Sequence, residues 1–344
     1  MSVATLSNPN SAAIPTTARR LRILVSILNW NKAEQTAECL DSLQGEFLAT
    51  PADITVLVID NGSADADYAA LQESIRSRNA MLKRMPSNLG FTGGHNIAIE
   101  EAIRENYDYI WLLNNDATVE PGTMRELLSV IEREDRCGAV SPILRDVDDG
   151  SIARCINTHD WAMRTSNRIL SIETGRQVQQ ERPESVWIDG TAILLRVKAL
   201  REVGPLDNRL FAYYDDNDIS ARLSSKGWFN RCAFDATVLH ENRKSFDNFP
   251  PYLSYLLARN EMLFWYTNTP APHRRMLWLK LIDKALYDVN RYYFKKGRAV
   301  QGDAALLGIY DFMRGRFGAP VTDRKVPFFM RMASRLSAVR YDRK

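Results

Sequence analysis

Three groups of polar residues in this sequence are of types that do chemistry together. The first is Asn114-Asn115-Asp116, directly after the apolar run Tyr109–Leu113. A carboxylate on a loop that follows a buried strand is placed to hold a divalent cation against phosphate oxygens. Mg2+ and Mn2+ use one or two carboxylates, waters and the substrate's own phosphates. One carboxylate is a thin site, and His240, followed by Glu241 at the end of the last expected strand, is the best second ligand. Imidazole favours Mn2+ over Mg2+; alone, such a histidine is as readily a cap. The second group is Asp215-Asp216-Asn217-Asp218, three carboxylates in four residues at a helix start. The helix dipole offsets part of their repulsion, and crowding raises their proton affinity toward that of a general base. The spacing does not say which Asp takes the role. Phe211, Tyr213 and Tyr214 beside them limit water access. The third group is a series of Asn, Asp and Gly clusters: Asn29-Trp30-Asn31, Asp60-Asn61-Gly62-Ser63 and Asn88 to Asn96.

These groups fall at the ends of regular elements. Leu21–Leu28, Ile54–Ile59, Met81–Met85 and Tyr109–Leu113 read as short buried strands. Helical spacing follows in Lys32–Leu43, Ala64–Arg78, Ile97 to about Glu105, and after Pro121. Alternation of this kind predicts an α/β fold, a mostly parallel sheet with helices on both faces. Ligands bind such sheets at the carboxyl ends of the strands. Any one of the clusters is explained by turn and cap preferences; four in succession on one edge point to a nucleotide pocket. Residues 146–184 read as polar excursions over that edge. Val186–Arg196 reads as a strand, Asp215 to Lys226 as a helix, and Trp228–Ala233 and Thr237–His240 as two short strands. Beyond Pro251 the period is helical.

The chain has 344 residues, 45% hydrophobic and 25% charged, which suits a soluble globular protein of two units and excludes wholesale disorder or a disulfide knot. Residues 271–344 hold 17 Lys/Arg against 6 Asp/Glu, a net of +11, leaving the first 270 residues at −8 within a whole-chain charge of +3. Cys39, Cys137, Cys155 and Cys232 are widely spaced, as expected of reduced thiols in a cytoplasmic protein. Residues 1–20 form a polar tail without an apolar signal segment. No run reaches the ~18 apolar residues of a spanning helix. The division expected is a tail over 1–20, a catalytic domain over 21–245 and a basic helical region over 246–344.

In order and spacing, Asp60-Asn61-Gly62-Ser63, the Asn88–Asn96 glycine segment, Leu112 to Asp116, Gly190-Thr191, and Asp215–Asp218 before His240 resemble inverting family 2 glycosyltransferases of GT-A fold. The nearest subset is bacterial rhamnosyltransferase-like and galactofuranosyltransferase-like enzymes of surface polysaccharide synthesis, and the likeness covers about residues 21–265. It implies that Ile27, Asn29 and Asp60 contact the base and ribose of a UDP- or dTDP-sugar, rhamnosyl favoured. It implies that Asn88, Gly90, Gly93, Asn96, Asn114 and Asn115 line the nucleotide pocket. Asp116 would be the metal ligand, with Asn114 standing where the family has a first Asp, and His240 would complete the shell around Mg2+ or Mn2+. Asp216, paired with Asp215, would be the base. Trp187, Asp189, Gly190, Arg243 and Lys244 would contact the acceptor or the diphosphate. The acceptor implied is a glycan or polyprenyl-diphosphate-linked sugar at the inner face of the cytoplasmic membrane.

The basic region has its own readings. Phe329, Met332, Leu336 and Val339 share a helical face flanked by Arg331, Arg335 and Arg340. Such a helix suits a peripheral anionic membrane surface, while 252–300 reads equally well as a packed subdomain. A nucleotidyltransferase would also place carboxylates at strand ends, but the first strand lacks a glycine-rich, Lys/Arg-bearing triphosphate loop. A nucleic-acid binder would explain the basic tail and leave the carboxylates unexplained, so no nucleic-acid partner is expected.

Overall fold

The computed structural model describes residues 19–241, 250–294 and 298–341. Its first half alternates β1 (Leu21–Asn29), α1 (Ala33–Ala49), β2 (Ala52–Asp60), α2 (Asp65–Arg76), β3 (Met81–Arg84), α3 (Gly90–Arg104) and β4 (Tyr109–Asn114). Then come β5 (Ala117–Val119), α4 (Thr123–Glu132), β6 (Cys137–Asp146), β7 (Ile152–Arg154), β8 (Ile156–Asp160), β9 (Thr165–Ile169) and α5 (Ile172–Glu181). The sheet-bearing part closes with β10 (Val186–Trp187), β11 (Ala192–Arg196), α6 (Val197–Val203), α7 (Asp215–Ser225) and β12 (Phe229–His240). The helices α8 (Pro251–Asn268), α9 (Leu277–Phe294), α10 (Ala299–Met313) and α11 (Phe328–Tyr341) follow.

The large sheet runs β3-β2-β1-β4-β11-β6-β12-β5, with β7 on β6. Strands β3, β2, β1, β4, β6 and β12 share a direction, and β11, β5 and β7 oppose it. The parallel strands are apolar on both faces because helices cover both. Ile23, Val25, Ile27, Trp111 and Leu113 point into one core with α1 and α4. Leu24, Ile110 and Leu112 point into the other with α3 and α6. Burying each such side chain contributes about 1.5–3 kcal/mol. Trp111→Ala would open one of the largest holes, since this indole is fully buried. The four cysteines are buried free thiols.

Several expected boundaries move for physical reasons. Val186–Arg196 is two strands in different sheets, β10 and β11, broken by a turn in which Asp189 Oδ1 accepts from the Thr191 amide and hydroxyl at 3.1 and 2.7 Å. The two short strands near 230–240 are one, because β12 keeps pairing with β6 across an irregularity between Ala233 and Thr237. Helix α3 starts at Gly90, earlier than Ile97. The 146–184 excursion is ordered: β8, β9 and β10 form a second, three-stranded sheet, and α5 packs behind it.

The C-terminal helices are built into the body. Helix α8 is apolar on nearly every side, and a third core joins its Tyr255, Leu256, Met262 and Phe264 to Leu210, Ala221 and residues of α9 and α10. Among the buried polar residues of this helix are Arg259 and Asn260, both fully buried. No helix among the described residues is long and apolar enough to cross a membrane.

Candidate active site

Strand register brings distant residues to one sheet edge. Because β11 runs antiparallel to β4, Ala192 pairs with Leu113 and the Asp189–Thr191 turn lands beside Asn114, whose amide donates to the Thr191 carbonyl at 2.9 Å. Because β12 runs antiparallel to β5, His240 pairs with Ala117, next to Asp116. A cleft of about 660 Å3 opens here, and Asn114, Asp116, Trp187, Asp189, Gly190, Asp215, Asp216 and His240 all line it.

His240 Nε2 lies 3.2 Å from Asp116 Oδ1, both side chains partly open to the cleft. Burial pulls the histidine's proton affinity down, but the Asp116 hydrogen bond and charge outweigh it, and the net shift is upward. Among the described residues no cluster of three His, Cys, Asp or Glu side chains forms. One carboxylate and one imidazole side by side fit a divalent cation that draws its other ligands from a diphosphate and water.

The carboxylates of α7 are held under strain. Phe211, Tyr213 and Tyr214 all have left-handed backbones, with φ of 66°, 68° and 67°, a conformation non-glycine residues adopt at a cost of about 1–3 kcal/mol each. What holds them comes from α8. Asn260 Nδ2 donates to the carbonyls of Leu210, Ala212 and Tyr213 at 2.9, 2.8 and 3.0 Å. Arg259 donates to the carbonyls of Arg209, Leu210 and Gly318. The N-terminus of α3 docks on the same loop, with the Thr92 amide 3.1 Å from the Phe211 carbonyl. Gly90 is required there, since a Cβ would stand 2.4 Å from that oxygen.

The result is a pair of acids, Asp215 buried and Asp216 half-buried at the cleft. Burial, then the charge of Asp189, push Asp216 up to about 6, against hydrogen bonds from Asn217 and Gly190 that pull it down. Its Oδ1 accepts from the Asn217 amide at 2.7 Å and from Asn217 Nδ2 at 2.9 Å. Oδ2 receives one long bond, from the Gly190 amide at 3.3 Å, and is the freer oxygen. Burial and then Asp216 raise Asp215 well above the usual carboxylate range. Gly190 permits this approach, because a Cβ would lie 3.2 Å from the Asp216 Cβ. Asp218 is engaged elsewhere, with Arg222 at 2.7 Å and Asn268 at 2.9 Å.

The residues expected to touch the nucleotide are placed differently. Ile27 is fully buried in the core. Asn29 and Asp60 are fully buried too; Asn29 Nδ2 reaches Asp60, Ser63 and Asp67 at 3.0–3.2 Å and its Oδ1 accepts from Thr36. Asn96 holds both main-chain groups of Leu206 and the Asn208 side chain. Asn88 Oδ1 accepts from Asn61 Nδ2 and the Gly90 amide, Gly93 sits against Leu89 and Asn208, and Asn115 donates to Thr36. These side chains brace the strand ends, because each buried polar group must find a partner. Only Asn114 of that set lines the cleft. Arg243 and Lys244 lie outside the described residues.

Sequence reasoning missed several residues the structure brings in. Arg154, at the end of β7 in the large sheet, and Arg168, on β9 of the second sheet, both line the cleft. His159, stacked on Trp187 with ring centroids 5.5 Å apart, bonds Asn217 Oδ1 through Nε2 at 2.9 Å. The only signal for Arg259 and Asn260 was polar residues inside a mostly apolar helix.

Residues 25–204 match the family model described as glycosyl transferase family 2. The chain belongs to this family. It is 29% identical over 238 residues to the N-acetylglucosaminyl-diphospho-decaprenol L-rhamnosyltransferase of Mycobacterium tuberculosis, covering 63% of this chain and 75% of the relative. It is 24% identical to galactofuranosyltransferase GlfT1 of the same species over 67% and 73% of the two chains. The mannosyltransferase PcManGT from Pyrobaculum calidifontis, solved with GDP-Man and Mn2+, shares the fold at a TM-score of 0.52 and 14% identity, with 97% of this chain and 91% of that chain covered. The glycosyltransferase therefore has the GT-A fold, a mixed sheet with flanking helices, and the nucleotidyltransferase and nucleic-acid readings fall away.

Proposed function

We propose that this glycosyltransferase moves a sugar, L-rhamnosyl favoured, from a UDP- or dTDP-sugar to a hydroxyl of a lipid-linked glycan, inverting the anomeric centre. One observation carries the mechanism: Asp216, half-buried and pushed up to about 6, shares a cleft with the Asp116–His240 pair. Asp216 Oδ2 takes the proton of the acceptor hydroxyl as that oxygen attacks the anomeric carbon. The bond from that carbon to the nucleoside diphosphate breaks, and the diphosphate departs with the electron pair from the opposite face. Asp116 and His240 would hold the divalent cation, which supplies charge stabilisation to the departing diphosphate. Tyr213 and Tyr214 narrow the cleft around the acids, and the clamped loop fixes their aim. The diphospho-decaprenol acceptor in the name of the mycobacterial relative supports a lipid-linked acceptor here.

A cytoplasmic enzyme meeting such an acceptor works at the inner face of a membrane. Helix α11 supports this: Met330 and Ser334 are buried, while Phe328, Phe329, Met332 and Leu336 face outward, beside exposed Arg331 and Arg335. This side of the +11 region suits an anionic bilayer surface. The Val339 and Arg340 side chains lie outside the described residues.

A panel of nucleotide sugars with Mn2+, scored by nucleoside diphosphate release and by NMR of the product's anomeric centre, tests the reading. Release from a UDP- or dTDP-sugar with inverted product is expected. Retention of configuration, or no release from any donor with any lipid-linked acceptor, would overturn it.

A further inference from the structure

A second concavity of about 460 Å3 beside α4, α5 and β12 is lined by paired arginines. There Arg231 lies 2.7 Å from Glu134 and Arg176 lies 3.1 Å from Asp235. The catalytic cleft holds two arginines arranged otherwise.

Arg154, at the end of β7, meets Asp189 through Nε at 3.2 Å, and its Nη1 donates to the Ala153 carbonyl. Arg168, on β9, has no hydrogen-bond or ion-pair partner among the described residues. Its direction follows from strand register. Arg168 pairs with Asn157 of β8, and Asn157 pairs with Trp187 of β10, so Arg168 and Trp187 share one face of the small sheet. Ser166, two residues earlier on β9, shares that face, and all three line the cleft. Arg168 is exposed at the cleft rim; partial burial of its guanidinium and the neighbouring charge of Arg154 lower its proton affinity, and Asp189 only partly offsets them. Arg154 also influences His240, so it reaches toward the Asp116–His240 side of the cleft.

Two like charges facing a substrate cleft, one of them unpaired, are an arrangement that an anion completes. Guanidinium forks bind phosphoryl oxygens bidentately. Two forks, one from each sheet, suit two linked phosphoryl groups. We propose that Arg154 of β7 and Arg168 of β9 form a diphosphate seat where the large and small sheets meet at the cleft, a reading that rests on the function proposed above. The diphosphate ester comes from one of two sources, the nucleoside diphosphate of the donor or the diphosphate that ties an acceptor glycan to its lipid.

The test uses the full chain as wild type, Arg168→Gln, Arg168→Lys and the control Arg125→Gln, an exposed cation beside Glu126 on α4. Inorganic pyrophosphate is titrated by calorimetry in EDTA, which removes any contribution of the Asp116–His240 pair with a cation. A seat predicts that Arg168→Gln weakens pyrophosphate at least tenfold, that Arg168→Lys retains part of the affinity, and that Arg125→Gln stays within twofold. Titrations of dTDP and of farnesyl diphosphate with Mn2+ then separate the sources. A loss confined to farnesyl diphosphate assigns the seat to the acceptor, and a loss confined to dTDP assigns it to the donor. Pyrophosphate binding by Arg168→Gln within twofold of wild type, or no pyrophosphate binding by a wild type with a normal melting curve, overturns the proposal. Failure of the catalytic reading is separate: it shows as absent transfer in the donor panel, whereas the seat is judged by binding without turnover.

Discussion

The two halves of the sheet edge treat polar residues in opposite ways. On the β1–β2–β3 side, Asn29, Asp60, Ser63, Asp67, Asn61 and Asn88 are tied to one another in a closed hydrogen-bond network. On the β4–β11–β12 side, Asp116, Asp189, Asp215, Asp216, His240, Arg154 and Arg168 crowd around a cleft, and Asp215, Asp216, His240 and Arg168 have displaced proton affinities. A closed network makes a rigid frame and has little left to offer a ligand. Crowded, incompletely matched charges are costly to the fold, and they are what a transition state can use.

The largest effect expected falls on the crowded side. Asp216→Asn removes the proposed base, and kcat should drop by about 10^2–10^4-fold. Thermal stability should hold or rise, because a half-buried carboxylate under repulsion becomes a neutral amide. Near-normal turnover from folded Asp216→Asn would mean the base is another residue. On the braced side the same logic predicts the reverse pattern. Asn29→Ala strips Asp60 and Thr36 of buried partners, so it should destabilise by about 2–4 kcal/mol. A melting temperature within a degree of wild type would show that the network is not a structural frame.

This contrast also explains what could be read from the sequence. Strands, helices and the order of clusters were legible because buried parallel strands are apolar throughout and their ends carry turn formers. The structure puts Asp116 beside His240 and Asp216 at the start of α7. Asn96 and Gly90 are of types that serve two purposes, approach to a ligand and approach to another loop. The loop they approach, 206–211, lies more than a hundred residues away in sequence. Arg168 was invisible because its position depends on pairing within a second sheet, and Arg154 because it depends on the short β7 pairing with β6, both in a stretch whose composition reads as irregular.

A smaller effect tests the metal side. His240→Gln keeps a polar group of similar reach but loses the imidazole, so the Mn2+ concentration giving half-maximal rate should rise about tenfold. Rates at saturating Mn2+ should recover most of the loss. An unchanged Mn2+ dependence would remove His240 from the ligand set and leave Asp116 alone.

The finest test concerns the one place where the two styles meet. Asn217 belongs to the crowded side but is bonded like the braced side: its Oδ1 accepts from His159 and its Nδ2 donates to Asp216. Burial holds His159 neutral, lowering it to about 4, so its Nε2 is the donor and the amide is locked in one orientation. A base must be ionised to accept a proton, so kcat/KM should be level above about 6 and fall tenfold per pH unit below it. The Asn217 side chain stabilises the ionised form. Asn217→Ala should therefore move the limb upward by about half a unit or more, with kcat at high pH nearly preserved because the backbone amide still contacts Oδ1. A limb that stays in place would show that burial and Asp189 alone set the proton affinity. A limb that moves down would contradict the sign of the hydrogen bond itself, since removing a donor from a carboxylate cannot favour its charged form.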